Sequence, residues 1–370
     1  MKKLSLLLTI ALLMSLFAGC AGTPVIYYTD CTCPVGSHEA QPQETQPVAT
    51  QPVATQPQQP VAEGAVKTGL YIATDITASK SAAADAAGEA AYDVTVVGVK
   101  VDDQGVITAC AIDSVKASVA FDATGAITSD VTAEVKTKNE LGADYGMVAW
   151  GGAIAEWDAQ AAALAAFAVG KTVDELRNGA IDETGYAPEG SDLRTSATIY
   201  LGSYVDAIEA AVANAKHLGA QAGDKLVLSV IPGLGDSKAA SAEAAGTAQL
   251  NVDTAAVTFN AEGVITSCYI DAVQAKVAFD ATGAVTTDLT APVKTKNQLG
   301  ADYGMVAWGG AVAEWDAQAA SFAAYVTGKT PAEVAGMALN EKTAPADADL
   351  AASVTISVIG FQNLIAKAAK

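Results

Sequence analysis

The residues best placed to do chemistry lie in one short segment, Asp192-Leu193-Arg194-Thr195-Ser196-Ala197-Thr198. It falls between the Tyr186-Ala187-Pro188 loop and an alanine-rich stretch whose spacing predicts a helix from about Tyr200 to His217. Backbone amides at a helix N-terminus attract anions, so a phosphate ester on the Thr198 hydroxyl would meet the positive end of that helix. Ser196 and Ala197 are small enough to let a bulky group reach the backbone, and Asp192 is placed to orient the threonine. The same residue types also cap helices, a serine or threonine oxygen accepting from unpaired amides, and that reading stands beside the first. A second segment, Asp349-Leu350-Ala351-Ala352-Ser353-Val354-Thr355, keeps the aspartate, a serine and the final threonine.

Other chemistries have little to draw on. His38 and His217 are the only histidines and lie far apart in sequence, which leaves little for a Cys-His or Ser-His-Asp constellation and less for a multi-histidine metal site. Of the five cysteines, Cys31 and Cys33 form a CTC triplet without a zinc pattern. Cys110 and Cys268 sit in apolar strand-like runs and read as buried inert thiols. With 41 acidic against 21 basic residues the chain is a poor ligand for nucleic acid, which needs clustered Lys and Arg. Pro232-Gly233-Leu234-Gly235 lacks the third glycine of a dinucleotide fingerprint.

The elements that must position these residues come in duplicate. Lys136–Ala162 and Lys294–Ala320 differ only at Glu140/Gln298 and Ile154/Val312 over 27 positions. A period of 158 residues means duplicated domains, here 65–219 and 220–370, and not a solenoid. Within the first, Ala91–Val101, Val106–Ile112 and Ser114–Phe121 read as strands separated by turns. Trp150, Ile154, Trp157, Ala161 and Leu164 recur as one helical face, and Thr172 caps a short helix stopped by Gly179. The expected fold is α+β, two tandem repeats of a small antiparallel sheet packed with helices. Tyr145, Trp150 and Trp157, repeated as Tyr303, Trp308 and Trp315, read as a helix face packed on the sheet, with ring stacking on a ligand as the alternative. Lys136-Thr137-Lys138-Asn139 and its copy from Lys294 read as solvated surface charge, with phosphate pairing as the alternative.

Residues 1–19 have two lysines, an apolar run and small residues, the layout of a secretory signal. Phe17-Ala18-Gly19-Cys20 resembles a bacterial lipobox, which implies lipid on Cys20 and a membrane-anchored protein on the extracytoplasmic face. The Pro-, Gln- and Thr-rich linker within 20–64 is expected to be a disordered stalk.

The Asp192–Thr198 segment resembles the flavinylation motif of FMN-binding domains, D-x-x-[S/T]-G-A-T, in which a flavin transferase links flavin mononucleotide (FMN) to the final threonine. Asp192, Thr195, Ala197 and Thr198 match, and Ser196 stands where glycine is usual. The second segment departs further, with Ala352 where Thr195 stands and Val354 where Ala197 stands. Lipobox, stalk and two related domains also resemble the flavinylated lipoproteins of Gram-positive extracellular electron transfer. The resemblance implies covalent FMN at Thr198, with Asp192, Thr195, Ser196 and Ala197 around it. It also implies a possible second site at Thr355 with Asp349 and Ser353. The implied partners are a flavin transferase and a membrane quinol-oxidising donor, and the implied role is a carrier with no catalytic residues of its own. The rival expectation is a cofactor-free surface lipoprotein, either a solute-binding receptor or a structural antigen.

Overall fold

The computed structural model describes residues 64–370, so the signal-like segment, Cys20 and the stalk up to residue 63 lie outside the described residues. Repeat one opens with three antiparallel strands in sequential order, β1 (Lys67–Asp75), β2 (Gly88–Val101) and β3 (Ile107–Phe121). The two runs expected at Val106–Ile112 and Ser114–Phe121 form this single strand β3, because the register holds through Asp113 and the one irregularity lies at Lys100/Val101. Helices follow as α1 (Lys138–Leu141), α2 (Met147–Gly151), α3 (Trp157–Ala168), α4 (Val173–Ala180) and α5 (Gly202–Ala213). Thr172 caps α4 as expected, in a reciprocal capping box with Glu175, but Gly179 lies inside the helix and Ile181 follows its end.

Repeat two copies the plan with β4 (Lys225–Gly233), β5 (Gly246–Phe259) and β6 (Ile265–Phe279). Its helices are α6 (Lys296–Leu299), α7 (Met305–Gly309), α8 (Trp315–Val326), α9 (Pro331–Ala335), α10 (Ala348–Ala351) and α11 (Ile359–Ala368). The fold is α+β, as expected. Among the described residues no helix is long and apolar enough to cross a membrane.

The two sheets pack face to face, and helices cover each outer face, giving four layers. Tyr92, Val94, Val96 and Val119 of repeat one interleave with Leu250, Val252, Val273 and Val277 of repeat two in one inter-sheet core. The opposite residues of the same strands, Val97, Val99 and Val101, pack on α3 and α5, while Ala255 and Val257 pack on α8 and α11. Strands buried on both faces lose polar alternation, which is why Val94–Val101 is valine-rich on both faces, with only Thr95 and Lys100 polar.

A local twofold relates the repeats. β1 lies over β6 and β3 over β4, and Phe121 stacks on Phe279 with centroids 4.0 Å apart and planes 2° from parallel. Beside that stack the amide of Ala82 donates to Gly283 O and that of Ala240 to Gly125 O, each at 2.8 Å. Gly125 and Gly283 have φ of +72° and +69°, and a Cβ on either would come within 2.6 Å of the other repeat. Glycine is required there on both counts. Lys367 of α11 also reaches Glu140 of repeat one at 2.7 Å.

Two buried carboxylates pin the chain between sheet and helices. Asp271 Oδ1 accepts from the amides of Ala272 at 2.7 Å and Asn297 at 3.1 Å. Asp113 does the same with Ser114 and Asn139. Burial raises both carboxyls, Asp271 from the usual 3.8 to about 6. Between those two values the folded protein holds a proton that the unfolded chain has released. The contribution of this group to stability therefore falls as pH rises through that window and stays low above it. Asp271→Asn keeps an oxygen for both amides and removes the charge. It is expected to flatten the pH dependence of stability between pH 4 and 6 and to be about 1–3 kcal/mol more stable than the parent at pH 7. Urea unfolding at pH 4, 5, 6 and 7 checks this, and equal slopes for parent and variant would refute it.

Candidate functional site

The duplicated segment is built around a caged lysine. Thr137 caps α1 in a reciprocal box with Glu140, and Thr295 caps α6 the same way with Gln298. Glutamate and glutamine both serve at that position, so the Glu140/Gln298 difference leaves the cap intact. Lys138 is not the solvated charge expected of it, since the residue is only 4 % exposed. Its ammonium stands 5.4 Å from the Tyr145 ring, 5.0 Å from the Trp157 ring and 3.9 Å from Asp93 Oδ1. Burial holds its pKa below the ordinary lysine value, with Asp93 opposing. Lys296 repeats the cage with Tyr303 at 5.3 Å and Trp315 at 4.7 Å. A desolvated cation over aromatic faces gains about 2 kcal/mol, which helps offset the burial. Trp157 Nε1 donates to Tyr204 Oη at 2.9 Å, and burial pushes that phenol up to about 12, so it stays protonated at neutral pH.

Trp150 behaves oppositely. The helical face expected from Trp150 to Leu164 is broken, because α2 ends at Gly152 in the left-handed region and α3 begins only at Trp157. Trp157, Ala161 and Leu164 pack inward, whereas Trp150 is 91 % exposed and Trp308 90 %. Ile154 and Val312, where the duplicated segments differ, are exposed too. The tip is held from below by Glu156, whose carboxylate accepts from the amides of Met147 at 2.8 Å and Val148 at 3.0 Å at the start of α2. Glu314 does the same at Met305 and Val306.

The Asp192–Thr198 segment meets this unit through a residue that sequence reasoning missed. Gln160, fully buried on α3, accepts at Oε1 from Thr198 N at 2.8 Å, Ile199 N at 3.2 Å and the Thr198 hydroxyl at 3.3 Å. Its Nε2 donates to Ala155 O at 2.8 Å. Gln318 makes the same set with Thr355, Ile356 and Ala313. The available signal was a glutamine three residues after Trp157 on the inward face of a helix.

The other expected residues fall as follows. Leu193–Thr195 form one tight 3-10 turn, and α5 starts only at Gly202, with Leu201 before it and no side-chain cap. Thr198 is therefore neither an N-cap nor next to the open amides of a long helix. Asp192 is exposed, and its backbone oxygen accepts from the Thr195 amide and hydroxyl, so it does not orient Thr198. Thr195 and Ser196 are exposed, Thr198 is half-buried, and Ala197 is fully buried, facing the core and not a ligand. Val354 is buried in the same way, so that position serves packing in both repeats. In repeat two Asp347, not Asp349, caps α10, Ser353 donates to Leu350 O, and Thr355 is exposed.

Cys268 is buried and Cys110 half-buried, and burial pushes both thiols up to about 12, in keeping with inert roles. A groove of about 440 Å³ between the β3 edge and α3 is lined by Thr108, Cys110, Asn139, Asp158 and alanines, and does not border Thr198. Among the described residues no group of three or more His, Cys, Asp or Glu is arranged to hold a metal. No family model matches the chain, and neither does any curated protein or solved structure.

Proposed function

We propose that this chain is a lipid-anchored surface electron carrier bearing FMN as an ester of Thr198. The observation that carries the reading is the setting of that threonine. Its backbone is fixed to α3 through Gln160, while its hydroxyl stays half-buried with a single long contact of 3.3 Å. A group attached there would be held in position without displacing a strong hydrogen bond.

A flavin in that position supplies one- and two-electron exchange. The protein supplies the rest. Gln160 holds the attachment point, and Trp157, one helical turn before it on α3, carries the Lys138 ammonium over its ring. Among the described residues Gln160 is the only side chain hydrogen-bonded to the Thr198 hydroxyl. A carboxamide takes no proton near neutral pH, so the partner of this hydroxyl cannot serve as the base for esterification, and a flavin transferase would supply one. In that step Thr198 Oγ1 bonds to phosphorus of an activated flavin phosphate. The bond from phosphorus to its leaving group breaks, and the hydroxyl proton passes to a base of the transferase.

Lipid at Cys20 and the linker that follows would keep the carrier beside a membrane quinol-oxidising donor at high effective concentration while it reaches outward. The test is flavin fluorescence after denaturing electrophoresis of protein made beside an active transferase. Thr198→Ala is expected to abolish it. A dark parent band, with the transferase active on a control protein, would overturn the proposal.

A second reading, a binding module without cofactor, is favoured by one observation. Trp150 and Trp308 stand exposed on tips that duplication has left nearly identical. Single exposed apolar residues are ordinary, but a tryptophan held out in both copies is the type of residue that anchors recognition.

A further inference from the structure

We infer that Arg194, Tyr186 and Tyr200 form a cradle for an aromatic phosphate around Thr198, that repeat two lacks it, and that the chain therefore carries one flavin and not two. The inference rests on the reading of Thr198 as the attachment point. Thr198 lies between Arg194 and Tyr200 in the chain, and both flanks meet the same ring. The Arg194 guanidinium is 5.7 Å from the centroid of Tyr186, and Tyr200 meets Tyr186 edge to face at 5.5 Å. Arg194 Nη1 is buried with no hydrogen-bond partner among the described residues. Its Nη2 has a loose contact of 3.7 Å to Glu189, a carboxylate 90 % exposed and free to swing away, and Asp182 is the other acidic neighbour. An arginine fork with an unused donor suits a phosphate oxygen. Tyr200 and Tyr186 remain 49 % and 38 % exposed, which leaves flat aromatic surface beside that donor.

Repeat two replaces each part. Arg194 aligns with Ala351 and Tyr200 with Ser357, and the matching turn hydrogen bonds, Asp182 N to Tyr186 O and Asn340 N to Ala344 O, put Ala344 in the place of Tyr186. The Tyr200 ring lies against Gly185, where a Cβ would come 2.4 Å from it. The matching position is Thr343, a non-glycine residue at φ 59°, whose hydroxyl donates to Ser357 Oγ at 2.7 Å. Where a ring lies in repeat one, repeat two has two small hydroxyls bonded to each other. Gln318 still holds Thr355, so the attachment geometry survives there without the cradle.

The experiment has two arms on the full chain. In the first, protein made without transferase is titrated with free FMN and free riboflavin, read by flavin fluorescence quenching. FMN is expected to bind about tenfold more tightly than riboflavin, and Arg194→Gln to erase that difference, as loss of one charge-assisted phosphate contact implies. Tyr200→Ala is expected to weaken both ligands alike. In the second arm, intact mass after coexpression with transferase is expected to give one flavin per chain in the parent and in Thr355→Ala. Two flavins per chain, or equal binding of FMN and riboflavin by the parent, would overturn the cradle while leaving the carrier reading intact. Arginine-dependent FMN binding with no covalent flavin would uphold the cradle and overturn the carrier reading.

Discussion

Phe121→Ala is expected to cost about 3–5 kcal/mol, the range for removing a large buried aromatic side chain, and to destabilise both repeats at once. Phe121 is fully buried, lies against Gly88 and stacks on Phe279 at the local twofold. A near-parallel pair at 4.0 Å gains little from its quadrupoles, so lost burial and the cavity dominate the cost. The cavity opens in the inter-sheet core, which Tyr92, Val94 and Val119 share with Leu250, Val252 and Val277. Neither sheet can bury that face alone, so the variant should still unfold in one transition at a lower urea midpoint. Trp157 and Trp315 lie in separate helical cores and report the two repeats in variants that keep only one of them. Unfolding of the Trp157 core while the Trp315 core stays folded would refute the shared core.

That shared core explains why the sequence was easier to read for elements than for assembly. β-branched residues mark β2, and β3 is legible as strand although Asp113 splits it into two expected runs, while the Thr172–Glu175 spacing marks α4. β1 is harder to see because Thr68, Gly69 and Leu70 are all buried, one face by the second sheet and the other by α5, which erases the period of two. The face-to-face packing of the repeats has no local signal. It rests on contacts such as Phe121–Phe279, 158 residues apart in sequence.

The site was legible in its parts and hidden in its joints. Spacing at 3.6 residues carries Trp150 onto the same face as Trp157 only if the helix runs through Gly151-Gly152. Two glycines, the second left-handed, end it instead and turn the ring outward. A lysine between Lys136 and Asn139 looks like surface charge until the chain folds Tyr145 and Trp157 over it. The threonine segment was recognisable from its own residues. Its anchor lies on another element, and a side-chain-to-backbone contact over 38 positions leaves no trace in local periodicity.

Gln160 is where stability and the proposed modification can be separated. Gln160→Ala strips partners from the amides of Thr198 and Ile199 and from Ala155 O. A buried polar group without a partner costs about 1–3 kcal/mol, but Thr198 is half-buried and water can reach part of the segment. The expected loss is therefore about 2–4 kcal/mol in total, measured by urea unfolding. Gln318→Ala removes the same set of contacts in repeat two and should cost about as much. The two variants should part company in flavin loading. Gln160→Ala frees the backbone of Thr198 and should reduce covalent flavin severalfold, while Gln318→Ala, equally destabilised, should load like the parent. Using the second variant as the control removes the trivial explanation that a weakened protein loads poorly. Equal loading in both would mean that Gln160 serves packing alone, and that the transferase finds Thr198 from its flanking residues without help from α3.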